Sequence, residues 1–297
     1  MKDYKKYLVP QVVAKLANIE LIAKLVVEGF ITGLHHSPYH GFSVEFAEHR
    51  AYRPGDEIKY LDWKVLGRTE KYFVKQFEEE TNTRAMIIMD ASASMKFSSD
   101  GNISKYDYGS YLAASLALLM IQQRDAVGLV LYDTKIRKFH NPNSRPSFIR
   151  EILRTLETNK PENQTGTASC LSEIAERIKK RSLIIVISDF FDNVETVSKA
   201  LQHFRHDQNE VIVFHLLDPR EVDFKFGKSA TFTDLETGDK MLTHPFQLQK
   251  AYESTMNEFI NQIKSKCLFQ RIDYNFITTN TPFDKALVAY LNKRKKI

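Results

Sequence analysis

One stretch combines an apolar strand with polar side chains at its end: Arg84-Ala85-Met86-Ile87-Ile88-Met89-Asp90-Ala91-Ser92-Ala93-Ser94-Met95. Its apolar run is too short for an isolated helix, so it predicts a buried β-strand. Small residues follow the run, which predicts a loop. Asp90, Ser92 and Ser94 therefore lie where a strand ends, and their oxygens can turn toward one point. Three hard oxygen ligands at such a point suit a hard cation such as Mg²⁺.

Strands and helices alternate through the rest of the chain. The run from Leu183 to Ile187 is continuously apolar, which is typical of a strand buried on both faces. The alternation predicts an α/β fold with a mainly parallel sheet and helices on both faces. The other predicted strands are Ala126 to Tyr132, Glu210 to Leu217 and Leu268 to Ile277, with Lys135 to His140 pairing back on the first. The predicted helices are Tyr106 to Gln123, Ser147 to Leu156, Ala168 to Lys180, Val194 to Phe204, Pro245 to Lys264 and Pro282 to Leu291.

Two domains are predicted, residues 1–83 and residues 84–297, with a small β-meander inserted at about 222–242. Apolar residues recur at three- and four-residue steps between Pro10 and Gly33, which predicts one amphipathic helix packed on the α/β body. Peripheral contact of this helix with a membrane surface is the alternative. Residues 42–77 are dense in aromatic and charged side chains, which predicts a loop-rich β region fixed by ion pairs or a surface that recognises a partner. The histidines between His35 and His40 predict a polar loop rather than a metal site.

Composition excludes several classes of protein. The net charge of +5 is mild, and the two cysteines are far apart, so neither a nucleic-acid partner nor a disulfide framework is expected. The basic run from Arg177 to Arg181 leaves nucleic-acid binding as an alternative, although such a run also complements a helix C-terminus. The start of the chain lacks the pattern of a signal peptide, and Leu112 to Ile121 is too short to span a bilayer. We therefore expect a cytoplasmic protein without a transmembrane segment.

Further oxygen ligands are predicted at the same edge of the sheet. Asp189 follows a second buried strand, and the loop Gln164-Thr165-Gly166-Thr167 precedes a helix. Parallel sheets bind ligands at the carboxyl ends of their strands, so these loops converge there. The predicted centre binds Mg²⁺, or Mn²⁺ or Ca²⁺, through Asp90, Ser92, Ser94, Asp189 and one threonine hydroxyl of this loop. If the two carboxylates act mainly through water, the ion keeps much of its positive charge and attracts an acidic side chain from another protein.

An enzyme is the alternative. Asp90 would then be the nucleophile of a metal-dependent phosphotransferase or hydrolase. Against this reading, position 92 is a serine, where a second acid would serve as the proton donor.

The pattern Asp90-x-Ser92-x-Ser94, with Thr165 and Asp189, resembles the metal-ion-dependent adhesion site of von Willebrand factor type A domains, and this resemblance makes Thr165 the threonine ligand. More closely, the chain resembles the bacterial domain of unknown function 58 family, and the resemblance extends over nearly its whole length. It is carried by Gly41-Phe42-Ser43-Val44-Glu45-Phe46, Arg53-Pro54-Gly55-Asp56, Leu61-Asp62-Trp63, Phe77-Glu78-Glu79-Glu80-Thr81, Asp90-Ala91-Ser92-Ala93-Ser94-Met95 and Leu183-Ile184-Ile185-Val186-Ile187-Ser188-Asp189-Phe190.

The resemblance implies a Rossmann-like domain that binds magnesium or a similar ion and works with AAA+ ATPases of the MoxR type. We infer a non-enzymatic adaptor that binds a client or an ATPase, because a carboxylate of that partner completes the coordination shell of the ion. One departure concerns the threonine ligand, because Asn163-Gln164 stand where the family commonly has two glycines. Thr167 is therefore an alternative to Thr165 as the threonine ligand, although the spacing in sequence to Leu183 favours Thr165.

Overall fold

The structure, a computed structural model, describes residues 8–16, 18–35, 49–51, 63–69, 72–75, 83–99, 101–227, 230–235 and 238–294. Its internal contacts divide the chain into two compact units. The first unit comprises Met1–Gly33 and Thr83–Ile297, and the second unit is Leu34–Asn82. The second unit is thus inserted into the chain of the first, and the N-terminal helices belong with the α/β body rather than with residues 34–82.

A six-stranded sheet organises the described part of the first unit. Its strands are β3 (Arg84–Asp90), β4 (Ala126–Tyr132), β5 (Ile136–Asn143), β6 (Leu183–Ser188), β7 (Glu210–Leu217) and β10 (Asp273–Thr278). Their order across the sheet is β10-β7-β6-β3-β4-β5, and every pairing is parallel except that of the edge strand β5 with β4. The predicted α/β fold with a mainly parallel sheet is confirmed.

Helices cover both faces of the sheet. Those that follow β3 are α4 (Lys105–Gln122), α5 (Ile149–Thr158), α6 (Thr167–Arg177), α7 (Val194–His206), α8 (Pro219–Asp223), α9 (Pro245–Phe269) and α10 (Phe283–Arg294). On one face, Ile88 and Val186 pack in a core with residues of α6, α7 and α9. On the other face, Met89 and Ile187 lie against Gly109 of α4. The central strands are therefore buried on both sides, as their continuous apolar sequences predict.

The sheet has a topological switch point between β3 and β6. From β3 the chain moves outward in one direction through β4 and β5, and then returns to β6 and continues outward through β7 and β10. The loops that leave β3 and β6 consequently diverge and open a crevice at the carboxyl ends of two adjacent strands. Asp90 ends one of these strands and Asp189 follows the other.

The N-terminal segment differs from the single predicted helix. It forms α1 (Pro10–Val13) and α2 (Ile19–His35), so the prediction of one helix is wrong. Asn18 starts the second helix, because its Oδ1 accepts hydrogen bonds from the backbone N–H groups of Glu20 (2.7 Å) and Leu21 (3.2 Å). The position of Gly33 at the end of the apolar pattern predicts a helix cap, but the helix continues through it to His35.

Helix α2 packs on the α/β body. The side chains on its apolar face, Ile22, Val26 and Phe30, are buried. At its start, the backbone N–H of Ile19 donates to Glu157 Oε1 of α5 at 3.3 Å. The apolar face is thus already covered by protein, which disfavours the membrane-surface alternative. In the described part of the chain, every helix is too short or too polar to cross a bilayer.

The insertion between α8 and α9 is a β-hairpin. Its strands, β8 (Ala230–Thr233) and β9 (Lys240–Thr243), pair antiparallel in a sheet of their own. In the second unit, β1 (His49–Ala51) pairs antiparallel with β2 (Phe73–Lys75), and α3 (Trp63–Thr69) lies between them in sequence. The sequence from Tyr72 to Phe77 predicts a strand, and β2 lies within it, whereas α3 was not predicted. The dipeptide Pro54-Gly55 predicts a tight turn. It lies outside the described residues, as do the histidines at 36 and 40.

Candidate metal centre

Asp90 is held by hydrogen bonds at the end of β3. Its side chain is completely buried. Oδ1 accepts the backbone N–H of Ser92 at 2.9 Å, and Oδ2 accepts the hydroxyl of Ser188 at 2.7 Å. The hydroxyl of Tyr132 lies 3.5 Å from the same Oδ2. The carboxylate is therefore fixed by three neighbouring segments of chain.

The two serine hydroxyls connect the β3 loop to the β6 loop. Ser92 precedes a 3₁₀ turn (Ala93–Lys96) that contains Ser94. The two Oγ atoms are 3.1 Å apart, and Ser94 Oγ donates to Asp189 Oδ2 at 2.8 Å. Asp189 lies directly after β6 and is completely buried, whereas Ser94 is half-buried. The structure thus brings together four of the five predicted ligands and leaves Ser94 on the open side.

The spacing of these oxygens is compatible with a hard divalent cation. Magnesium takes oxygen ligands octahedrally at 2.0–2.1 Å, which puts neighbouring ligand oxygens about 3 Å apart. The distances of 3.1 Å between the serine hydroxyls and 2.8 Å from Ser94 to Asp189 match this spacing. Among the described residues, no cluster of three or more His, Cys, Asp or Glu side chains is arranged to bind a metal. A centre at this edge would therefore depend on hydroxyl ligands as well as on its two carboxylates.

The threonine loop reaches the same edge. The backbone N–H of Ala93 donates to the carbonyl of Asn163 at 2.8 Å, and that of Gly166 donates to Asp133 at 3.0 Å. Thr167 is completely buried at the start of α6, with its Oγ1 3.5 Å from the hydroxyl of Tyr132. Thr165 is half-buried. Thr165 remains the predicted ligand, with Thr167 as its competitor.

Burial and like charge raise the pKa of Asp90. Desolvation has the larger effect and the neighbouring Asp189 adds to it, so that the pKa lies at about 7. Hydrogen bonds from Ser92 and Ser188 act in the opposite direction. A bound divalent cation would favour the ionised carboxylate, because its charge opposes both effects. Positive charge beside Asp90 would therefore stabilise its ionised form.

A buried lysine lies beside the predicted centre and was missed by the sequence reasoning. Lys105 Nζ is 2.7 Å from Asp189 Oδ2 and 2.7 Å from Glu221 Oε1, and its side chain is completely buried. Burial alone lowers the pKa of Lys105, but the charges of Asp189 and Glu221 outweigh it and raise the pKa above its usual value. Lys105 and Glu221 are 116 residues apart in sequence. No local pattern signals such a pair.

A left-handed residue positions the second carboxylate. Phe190, directly after Asp189, has a φ of 56° and a completely buried ring. A bulky residue rarely adopts this conformation, and it is common at functional turns. The backbone N–H of Phe190 donates to Ser188 Oγ at 2.9 Å, and that hydroxyl also binds Asp90. Ser188 and Phe190 thereby couple the geometry of the two loops, and neither residue was predicted to have this role.

The basic run that left nucleic-acid binding open is partly paired in the structure. Arg177 forms an ion pair with Glu173 and lies over the ring of Phe139 at 5.6 Å. Arg181 is 3.9 Å from Glu210. These contacts support a structural role for the two arginines.

Comparison with known proteins places the sequence in a family context. The family described as "Protein of unknown function DUF58" matches residues 48–259. Uncharacterized proteins of Mycobacterium bovis and Mycobacterium tuberculosis are each 25% identical over 233 residues, which cover 77% of this chain and 72% of each relative.

Solved structures with a similar fold include an aerotolerance-related membrane protein from Bacteroides fragilis. It has a TM-score of 0.50 at 16% identity, covering 72% of this chain and 100% of that chain. BatB from Bacteroides thetaiotaomicron has a TM-score of 0.47 at 15% identity, covering 72% and 99%. The von Willebrand factor A domain of SpRpn10 has a TM-score of 0.39 at 10% identity, covering 70% and 94%. At 16% identity, the similarity to the Bacteroides fragilis protein extends to the fold alone.

Proposed function

Since this chain belongs to the DUF58 family of proteins of unknown function, we propose that it is a non-enzymatic adaptor that binds an acidic protein partner through a divalent cation. The observation that carries the proposal is the position of Ser94 at the switch point of the sheet, with its Oγ 3.1 Å from Ser92 Oγ and 2.8 Å from Asp189 Oδ2. Mg²⁺ is the expected ion, held by Asp90, Ser92, Ser94, Thr165 and Asp189, with Mn²⁺ or Ca²⁺ as alternatives.

The charge of the donor set supports protein binding. Hydroxyls are neutral ligands, and Asp189 already shares one oxygen with the ammonium of Lys105. The bound ion would supply residual positive charge and a ligand position suited to a carboxylate from another protein. The half-buried Ser94 and Thr165 lie on the accessible side, where that carboxylate would approach.

We propose a MoxR-type AAA+ ATPase, or a client delivered to one, as the partner, and the cytoplasm as the location. Both proposals extend the family resemblance described under Sequence analysis. The enzymatic alternative, with Asp90 as nucleophile, is less well supported, because both of its oxygens accept hydrogen bonds and the side chain is completely buried. Turnover of a phosphate ester that Asp90→Asn abolishes would favour the enzyme instead.

Cation binding is tested by replacing Asp90 with asparagine. We expect calorimetric titration with Mg²⁺ to show binding by the natural chain and none by Asp90→Asn, because the substitution removes one of the two negatively charged ligands. The matched control is Asp125→Asn. Asp125 is also buried and accepts the backbone N–H of Thr83 at 3.2 Å, but it precedes β4 at the opposite end of the sheet. Equal affinity of the natural chain and Asp90→Asn would defeat the metal-centre proposal.

The partner is tested with the same proteins. We expect a purified MoxR-type ATPase from the source organism to bind the natural chain and Asp125→Asn in Mg²⁺. Binding should be lost with a chelator or with Asp90→Asn. Binding that survives both treatments would remove the cation from the interface.

A further inference from the structure

The strongest unexplained feature beside the candidate centre is the environment of Lys105. It is the first residue of α4, and its ammonium contacts Asp189 Oδ2 and Glu221 Oε1 at 2.7 Å each. The ring of Phe191 covers the ammonium, with 4.8 Å between Nζ and the ring centroid. A lysine is almost never fully buried unless it is paired, so both carboxylates are needed to hold it.

Glu221 ties this lysine to a second structural element. Its Oε2 accepts the backbone N–H of Asp218 at 2.8 Å, as part of the capping box that starts α8. Asp218 Oδ2 in turn accepts the backbone N–H of Ser99, from the loop before α4, at 3.0 Å. The ammonium therefore has a fixed position, set from α4 on one side and from α8 on the other.

Asp189 Oδ2 accepts two donors at once, the ammonium of Lys105 and the hydroxyl of Ser94. Any cation that binds between the β3 and β6 loops has to share this carboxylate with the lysine. Two positive charges on one carboxylate repel each other, and in a buried site this repulsion is weakly screened.

We propose that the ammonium of Lys105 shares Asp189 with the bound divalent ion. This sharing weakens the binding of the ion to this chain, so that tight binding of the ion depends on a carboxylate from another protein. This inference rests on the proposed function, because it concerns the same centre. The inference adds that this chain, without a partner, binds the ion only weakly. Glu221 has the opposite effect, because it draws the ammonium partly away from Asp189.

The test compares Lys105→Met with Glu221→Gln in calorimetric titrations of the full chain with Mg²⁺. We expect Lys105→Met to bind at least about tenfold more tightly, because a competing charge is removed. We expect Glu221→Gln to bind more weakly, since Lys105 then has only Asp189 as a charged partner. A merely structural role for the triad would weaken binding in both variants. The control is Lys96→Met, at the end of the 3₁₀ turn that contains Ser94. Because Lys96 is exposed and its charge is screened by solvent, this change should leave the affinity unchanged.

Stability gives a second readout. Without Mg²⁺, Lys105→Met leaves Asp189 and Glu221 close together with no cation, so its melting temperature should fall below that of the natural chain. Adding Mg²⁺ should raise the melting temperature of Lys105→Met more than that of the natural chain. If Lys105→Met does not fold, the double variant Lys105→Met/Glu221→Gln removes the unpaired charge. It should bind Mg²⁺ more tightly than Glu221→Gln alone.

The outcomes separate this inference from the proposed function. If the natural chain binds Mg²⁺ and Lys105→Met binds no more tightly, the role of Lys105 is overturned and the metal centre stands. If only Lys105→Met binds, the lysine competes with the ion as proposed, and the binding expected of the isolated natural chain under Proposed function is contradicted. If neither binds at millimolar Mg²⁺, both proposals are overturned.

Discussion

His215 shows how a single buried side chain can be sensitive to pH. It lies on β7, opposite Ser188 of β6, and its Nδ1 is 2.7 Å from the hydroxyl of Tyr274. Four aromatic rings surround the imidazole, with centroids 5.6–5.8 Å away: those of Phe190, Phe259, Tyr274 and Phe276. Burial lowers its pKa to about 4, Asp189 acts to raise it, and Lys105 lowers it further.

A lowered histidine pKa makes stability fall in acid. Between the unfolded value of about 6.5 and the folded value of about 4, the unfolded chain binds more protons than the native chain. His215 therefore destabilises the native state progressively as the pH drops through this window. The cost reaches about 3 kcal/mol in the free energy of unfolding when the window has been crossed.

We expect His215→Phe to remove this pH dependence. Urea denaturation of the natural chain and the variant at pH 7, 5.5 and 4.5 should give free energies of unfolding whose difference shifts in favour of the variant as the pH falls. Carboxylates such as Asp90 and Glu221 titrate in both proteins, so their effects cancel in the difference. Tyr274→Phe, which keeps the imidazole, serves as the control. Parallel curves for the natural chain and His215→Phe would refute the role of His215.

Among the elements, α2 depends on packing for its place in the α/β unit. Its residues Ile22 and Ile31 are of the same type and lie in the same helix, but Ile22 is 1% exposed and Ile31 is 38% exposed. Burial of the apolar face, rather than helix propensity, is the usual source of stability for such a helix.

Replacing Ile22 with alanine should destabilise the whole unit. We expect a loss of about 2–5 kcal/mol in the free energy of unfolding, since a buried side chain is truncated and a cavity remains. Ile31→Ala, the matched control, should cost much less. The measurement is chemical denaturation followed by circular dichroism. A loss confined to the helical signal, with the sheet unfolding as before, would mean that α2 is not part of the cooperative unit.

Sequence patterns predicted the elements whose identity is set locally. The strands β3, β6 and β7 follow from continuous apolar runs, and the antiparallel return of β5 from its position directly after β4. The same patterns missed the start of α2. The apolar periodicity continues across Asn18, although the cap at this residue begins a new helix. These patterns also missed Lys105 and Glu221, because only the tertiary fold brings α4 and α8 together. The oxygen cluster was predictable since its members follow strands at one edge.

At the scale of the whole molecule, the two cysteines report on the integrity of the core. Cys170 of α6 and Cys267 of α9 are buried in the same hydrophobic cluster and are not joined by a disulfide. Burial raises the pKa of Cys170 to about 11 and that of Cys267 to about 12. Only the thiolate is reactive, so burial and the raised pKa both suppress the reaction of these thiols in the native state.

Both thiols should be inert in the native protein and reactive after unfolding. At pH 8 we expect a thiol reagent to label the native chain at least about a hundredfold more slowly than the chain in urea. Mass spectrometry would follow the labelling, and Cys170→Ser and Cys267→Ser would assign the two rates. Because both residues lie in one cluster, their native rates should be similar. Prompt labelling of one cysteine alone would mean that its helix opens independently.

The inserted position of the second unit has a consequence for synthesis on the ribosome. Helix α2 is made before that unit, but Glu157, which binds its first residue, lies 138 positions further along the chain. At about 5–20 residues per second, that partner emerges on the order of ten seconds later. During this interval the apolar face of α2 has no native surface to cover it. The nascent chain therefore presents a target for chaperones well before the rest of the unit that contains the helix has been made.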